Sequence, residues 1–171
     1  MKKYIFGLVF LLICNFTFAQ QENIIGKTNK QAILKSDHNS WYSENYKTYK
    51  PQPESIEKLN ELLNNSDFKI EVYFGSWCSD SQRELPRLIK LLEYTKFNFD
   101  NLKLVGVGRD KIVPNVSEEQ REQLNVNNVP TIIVYKDGKE INRFVEYAQE
   151  SLERDMIKIL SNQTYKHSYQ D

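Results

Sequence analysis

Residues 69–92, KIEVYFGSWCSDSQRELPRLIKLL, run an apolar strand straight into a cysteine that opens a helix. Ile70, Val72 and Phe74 alternate with Glu71 and Tyr73, the period-2 pattern of a strand, until Gly75 and Ser76 break it. Beyond Cys78, Leu85, Leu88, Ile89 and Leu92 recur at spacings of three and four, which predicts a helix burying one face. The junction places Cys78 in the first helical turn. There the unpaired backbone N–H groups and the positive end of the helix dipole favour a thiolate over a thiol. Pro86 falls inside this helix, where it removes one backbone bond and is expected to kink it.

What the thiol meets depends on where the chain goes. Residues 1–19 read as a secretory signal: Lys2 and Lys3 form a basic start, residues 4–13 an apolar run, and Thr17-Phe18-Ala19 a cleavage site. The apolar run is too short for a stable membrane span, although an uncleaved anchor is the alternative. Leu12-Ile13 ahead of Cys14 are too bulky for a lipobox. Cleavage leaves Cys78 as the single cysteine of a chain exported to the periplasm or the extracellular space, so no internal disulfide is possible. Cys78 is then either a reactive thiol or a small buried hydrophobe. Its place at a helix start, away from the apolar stripe, favours the first.

The remaining roughly 150 residues suit one core and not two. With 23 basic and 23 acidic residues and no basic stripe, nucleic acid is not an expected partner. His38 and His167 are far apart and read as surface residues, so neither a metal site nor a cofactor is expected. Residues 20–52 form a polar N-terminal extension whose Trp41, Tyr42, Tyr46 and Tyr49 must pack on something: an edge of the domain, or less readily a groove near Cys78. The domain proper is expected over 53–161. Pro53 opens a helix with Ile56, Leu59, Leu62 and Leu63 on one face, and residues 64–67 turn into the cysteine strand. A buried central strand at 102–107 follows, then a helix opened by the capping box Ser117-Glu118-Glu119-Gln120. Strands at 131–135 and 140–147 flank Asp137-Gly138, a hairpin signal. A last helix at 151–160 buries Leu152, Met156 and Leu160, and residues 162–171 form a polar tail expected to fray.

Trp77-Cys78 at a strand-to-helix turn, Pro86 within the helix, and Val129-Pro130-Thr131 opening a later apolar strand together resemble the thioredoxin family, over about residues 70–160. The resemblance implies an α/β thioredoxin-like fold, a central mixed sheet of about four strands flanked by helices. It further implies that Pro130 is cis and faces Cys78, with Trp77, Val129, Pro130 and Thr131 shaping a substrate groove; a trans proline starting an edge strand is the alternative.

Three departures from the family pattern bear on chemistry. Ser81 stands where the second cysteine would be, so Cys78-Ser79-Asp80-Ser81 is a monothiol motif in which a hydroxyl can support a thiolate but cannot resolve a mixed disulfide. Val72 stands where thioredoxins keep a buried Asp. Asp80 adds a carboxylate that opposes a thiolate, with Arg83 or Arg109 available to offset it. The expected function is thiol-disulfide exchange, of isomerase or monothiol reductase type, with Cys78 as nucleophile. Its partners are exported proteins bearing thiols or disulfides, and an external thiol or reductase is needed for turnover. The alternative is a redox-inactive binding module that recognises an exported protein; a third reading is peroxide sensing through a sulfenic acid.

Overall fold

The computed structural model describes residues 21–64 and 67–170. The signal expected over residues 1–19, with Cys14, lies outside the described residues, as do Asn65 and Ser66 of the turn. The architecture is α/β and thioredoxin-like, a five-stranded mixed sheet in the order β1-β3-β2-β4-β5 flanked by helices.

Alternation along the cysteine strand, β2 (Phe68–Phe74), sorts its residues between two cores. Phe68, Ile70, Val72 and Phe74 face the larger one, with Leu85, Leu88 and Ile89 of α4 (Ser79–Tyr94) and Met156 and Ile159 of α6 (Leu152–Leu160). Tyr73 faces a smaller one with Val105, Val129 and Ile133. Each fully buried aliphatic or aromatic side chain of this kind contributes about 1.5–3 kcal/mol. β2 lies parallel to β3 (Leu102–Gly106) through the α4 crossover and antiparallel to β4 (Thr131–Lys136). β4 turns into β5 (Lys139–Val145) at Asp137 and Gly138, whose φ values of 52° and 74° are the left-handed pair that a tight hairpin turn needs. The capping box forms at α5 (Glu118–Leu124), Ser117 accepting from Gln120 N. α4 runs unbroken through Pro86.

The chain ahead of residue 53 adds a strand and helices to the fold. β1 (Gly26–Thr28) adds a fifth strand, antiparallel to β3. After α1 (Lys30–Leu34), α2 (Asn39–Thr48) lies against α4, with Tyr42 only 1% exposed. The Tyr46 hydroxyl donates to Glu93, and Lys90 Nζ donates to the carbonyls of Tyr46 and Tyr49, both at 2.7 Å. These aromatics therefore cover α4 and not the cysteine. α3 (Pro53–Asn64) packs Leu59 and Leu63 into the same core.

Two expectations are overturned. The tail is docked, not frayed: Tyr165 is buried, its hydroxyl donates to Asp155 at 3.2 Å, and its carbonyl accepts from Asn142 Nδ2 at 3.2 Å. His38 is buried, not a surface residue, because its ring has two polar partners: Glu22 O at 2.8 Å and Trp41 Nε1 at 3.2 Å. A histidine whose ring nitrogens are both satisfied loses little on leaving water.

Candidate functional site

The end of β2 builds the site. Cys78 N donates to Gly75 O at 3.0 Å, closing the turn, and Gln82 N donates to Cys78 O at 2.9 Å, starting α4. Cys78 is thus the residue that caps the helix, in extended conformation, with its own side chain making no capping bond. The half-buried thiol donates instead to Val129 O at 3.2 Å. The Val129–Pro130 bond is cis, so the loop before β4 meets the cysteine as the resemblance implied. Thr131 is buried with its hydroxyl donating to Asn128 O at 2.7 Å.

Trp77 is held from three sides. Its indole N–H donates to Val107 O at 3.0 Å, the Arg109 guanidinium lies 5.1 Å from the ring centroid, and Gly75 sits against the ring. A Cβ on Gly75 would come within 2.6 Å of the indole, so the turn admits no side chain there. Arg109 is accordingly a stacking partner of Trp77.

Of the residues expected to tune the sulfur, Arg83 pairs with Asp80 at 2.7 Å and with Glu84 at 2.6 Å. Glu84 is 3% exposed, and Arg87 approaches it at 3.6 Å. Burial pushes its carboxyl up from the ordinary value, against the pull of both arginines. Ser81 has a structural partner of its own. Its hydroxyl is fully buried and accepts the Gly75 N–H at 3.1 Å, which braces the turn behind the sulfur.

Several members of the site carried no signal of their own in the sequence. Ser76 Oγ accepts from Ile24 N at 3.0 Å, tying the chain ahead of β1 to the cysteine turn. Glu146 N donates to Pro130 O at 2.8 Å, placing the segment after β5 beside the cis-proline loop. A cleft of about 490 Å³ lies elsewhere, on the sheet face of Glu71, Tyr73, Lys103 and Tyr135. Among the described residues no helix is long and apolar enough to cross a membrane, and no group of three or more His, Cys, Asp or Glu gathers to hold a metal ion.

No family model matches the chain. A thioredoxin of Aspergillus fumigatus is 28% identical over 103 residues, 60% of this chain and 87% of that protein. Thioredoxin Y1 of Arabidopsis thaliana chloroplasts is 28% identical over 92 residues, 53% of this chain. The match spans about half, 49%, of that plant protein. Among solved structures, a Fasciola hepatica thioredoxin aligns with a TM-score of 0.39 at 21% identity, covering 62% of this chain and 91% of that one. The fold assignment rests on the strand order and register described above.

Proposed function

Taking the chain as the thioredoxin-like, distant relative of thioredoxins that its fold and sequence make it, we propose that it is an exported monothiol that performs thiol-disulfide exchange through Cys78. The observation that carries this reading is the position of the Cys78 sulfur, half-buried at the start of α4 and 3.2 Å from the carbonyl that precedes Pro130.

Exchange begins when the thiol proton leaves Val129 O for solvent. The thiolate attacks one sulfur of a partner's disulfide; that S–S bond breaks, a Cys78–partner S–S bond forms, and the partner's other sulfur departs as a thiolate that takes a proton from water. A second thiol of the partner, or an external one, then attacks the mixed disulfide and returns Cys78 as thiolate. Ser81 cannot do this, so the cycle depends on that second thiol. Trp77 and the 129–131 loop shape the surface across which the partner lies. Removal of residues 1–19 on export belongs to the same proposal, and N-terminal sequencing of exported protein should begin at Gln20.

Trapping tests the reading. Wild type treated with a mild disulfide oxidant in the presence of exported proteins should accumulate adducts that mass spectrometry localises to Cys78. Absence of adducts would transfer the site to the second reading, a binding module. That reading draws on the sulfur's hydrogen-bond partner, the Val129 carbonyl, an acceptor that favours the thiol over the thiolate.

A further inference from the structure

Residues 107–113, which leave β3, touch both walls of the cysteine site. On one side the Val107 carbonyl accepts the Trp77 indole N–H and the Arg109 guanidinium lies over its ring. On the other, Lys111 Nζ donates to Asn127 O at 2.7 Å and to Asn128 Oδ1 at 3.0 Å, on the two residues ahead of Val129. The chain turns to make this reach. Lys111 N donates to Gly108 O at 2.9 Å, and Lys111 itself is left-handed, φ 58°, a conformation that a residue with a Cβ adopts at a cost. Asp110 Oδ1 accepts from Ile112 N at 3.1 Å and tightens the same turn. Both acceptors of the Lys111 ammonium are uncharged oxygens. A half-buried lysine that gives up its side-chain freedom to two such oxygens neutralises no charge by doing so, and what the contact supplies is geometry.

We propose that Lys111 is a positioning residue for exchange at Cys78, its ammonium fixing the 127–129 loop so that the Val129 carbonyl stays on the sulfur. Apolar packing alone does not do this. Val126 and Val129 sit with Val113, Trp77 and Cys78 in the smaller core, but burial is non-directional and leaves the loop free to rotate about its own axis. Hydrogen bonds set that rotation. Downstream of the Val129 carbonyl, Glu146 N donates to Pro130 O at 2.8 Å; upstream, the two bonds from Lys111 are the counterpart. Without the ammonium the loop is pinned at its far end only. Arg109 and Lys111 stand two residues apart, so the Trp77 wall and the Val129 carbonyl are held from one short stretch of backbone and keep their spacing across the sulfur.

The role in exchange rests on the reading proposed above, whereas the hold on the sulfur does not, and the experiment reads them separately. The first readout is the S–H stretching band of Cys78 in the Raman spectrum of the full chain, assigned by its loss in Cys78→Ala. A hydrogen-bonded S–H vibrates at lower frequency than a free one, so the band should rise in Lys111→Met and keep its wild-type place in Lys111→Arg, which retains donors for both oxygens. Ser151→Ala removes the cap of α6 in the larger core; it should lower the thermal midpoint and leave the band where it is, which sets a specific effect apart from general loosening. The second readout is the rate at which the Cys78 sulfur displaces one sulfur of an insulin disulfide as a thiolate, followed by mass spectrometry of the adduct. It should be about fivefold slower in Lys111→Met and near wild type in Lys111→Arg. An unmoved band in Lys111→Met overturns the proposal, as does a band that Lys111→Arg fails to restore or that Ser151→Ala moves equally. A moved band with an unchanged insulin rate overturns the role in exchange. Wild type that forms no adduct with insulin defeats the exchange reading, and the band still decides whether Lys111 holds the carbonyl on the sulfur.

Discussion

The hydroxyl of Ser81 and the backbone N–H of Gly75 are bonded at 3.1 Å, beneath the turn that presents Cys78. Ser81→Ala leaves that buried N–H without its acceptor, at a cost of about 1–3 kcal/mol. The thermal midpoint should fall by about 2–4 °C for each kcal/mol. An unchanged midpoint would mean that the turn is braced from elsewhere. Ser81→Cys should also let Cys78 close an internal disulfide with the introduced thiol under oxidation, read as the loss of both free thiols, and so shorten the life of partner adducts.

Cys78→Ala should abolish adduct formation and any exchange or isomerase activity. The side chain is small and makes no capping bond at α4, so the circular dichroism spectrum should be unchanged and the stability loss within about 1 kcal/mol. Full activity in this variant would end the exchange reading.

Gly106→Ala probes the junction between the N-terminal chain and the sheet. The new Cβ would stand 2.1 Å from the Ile24 carbonyl oxygen and 2.7 Å from its carbon, both backbone atoms, so residues ahead of β1 must move. The cost should be about 1–3 kcal/mol. The Ile24–Ser76 bond should go with it. Limited proteolysis ought to cut within residues 21–28 faster than in wild type; equal rates would show that the strand accommodates the methyl in place.

Glu84 carries a pH signature whose sign follows from burial. Its folded value is raised above the ordinary 4.5, so the native state holds the proton more tightly than the unfolded chain does. That contribution is complete below the unfolded value and is lost as pH rises through the folded one. Urea midpoints for wild type minus Glu84→Gln, compared from about pH 4 to 7, should therefore decline with pH. A difference that rises with pH would mean that Arg83 and Arg87 outweigh burial.

Elements that announce themselves locally were legible in the sequence. The alternation through Phe74, the apolar stripe of α4, the Ser117 capping box and the Asp137-Gly138 turn each encode their own geometry within a few residues, and each forms as expected. Cys78 and Pro130 were placed together correctly because strand order brings their loops to one end of the sheet. What escaped were pairings specified only by distant partners. β1 is three residues, Gly26-Lys27-Thr28, too short to show a period, and it is a strand because β3 is there to pair with. The bond from the Gly75 N–H to the Ser81 hydroxyl escaped too, because nothing in the spacing of the two residues shows that the turn buries that N–H. His38 and Tyr165 looked solvent-bound because nothing adjacent to either in the chain reveals Glu22, Trp41 or Asp155 as partners.

β1 also changes how the molecule fares in a crowd. Stripped of Gly26–Thr28, β3 would offer its outer row of N–H and C=O groups as a ready template for a strand from another molecule, the first step towards aggregation. Three residues occupy that row. The new outer strand is itself a poor template, brief and bearing the exposed Lys27, so the edge it presents invites little further pairing.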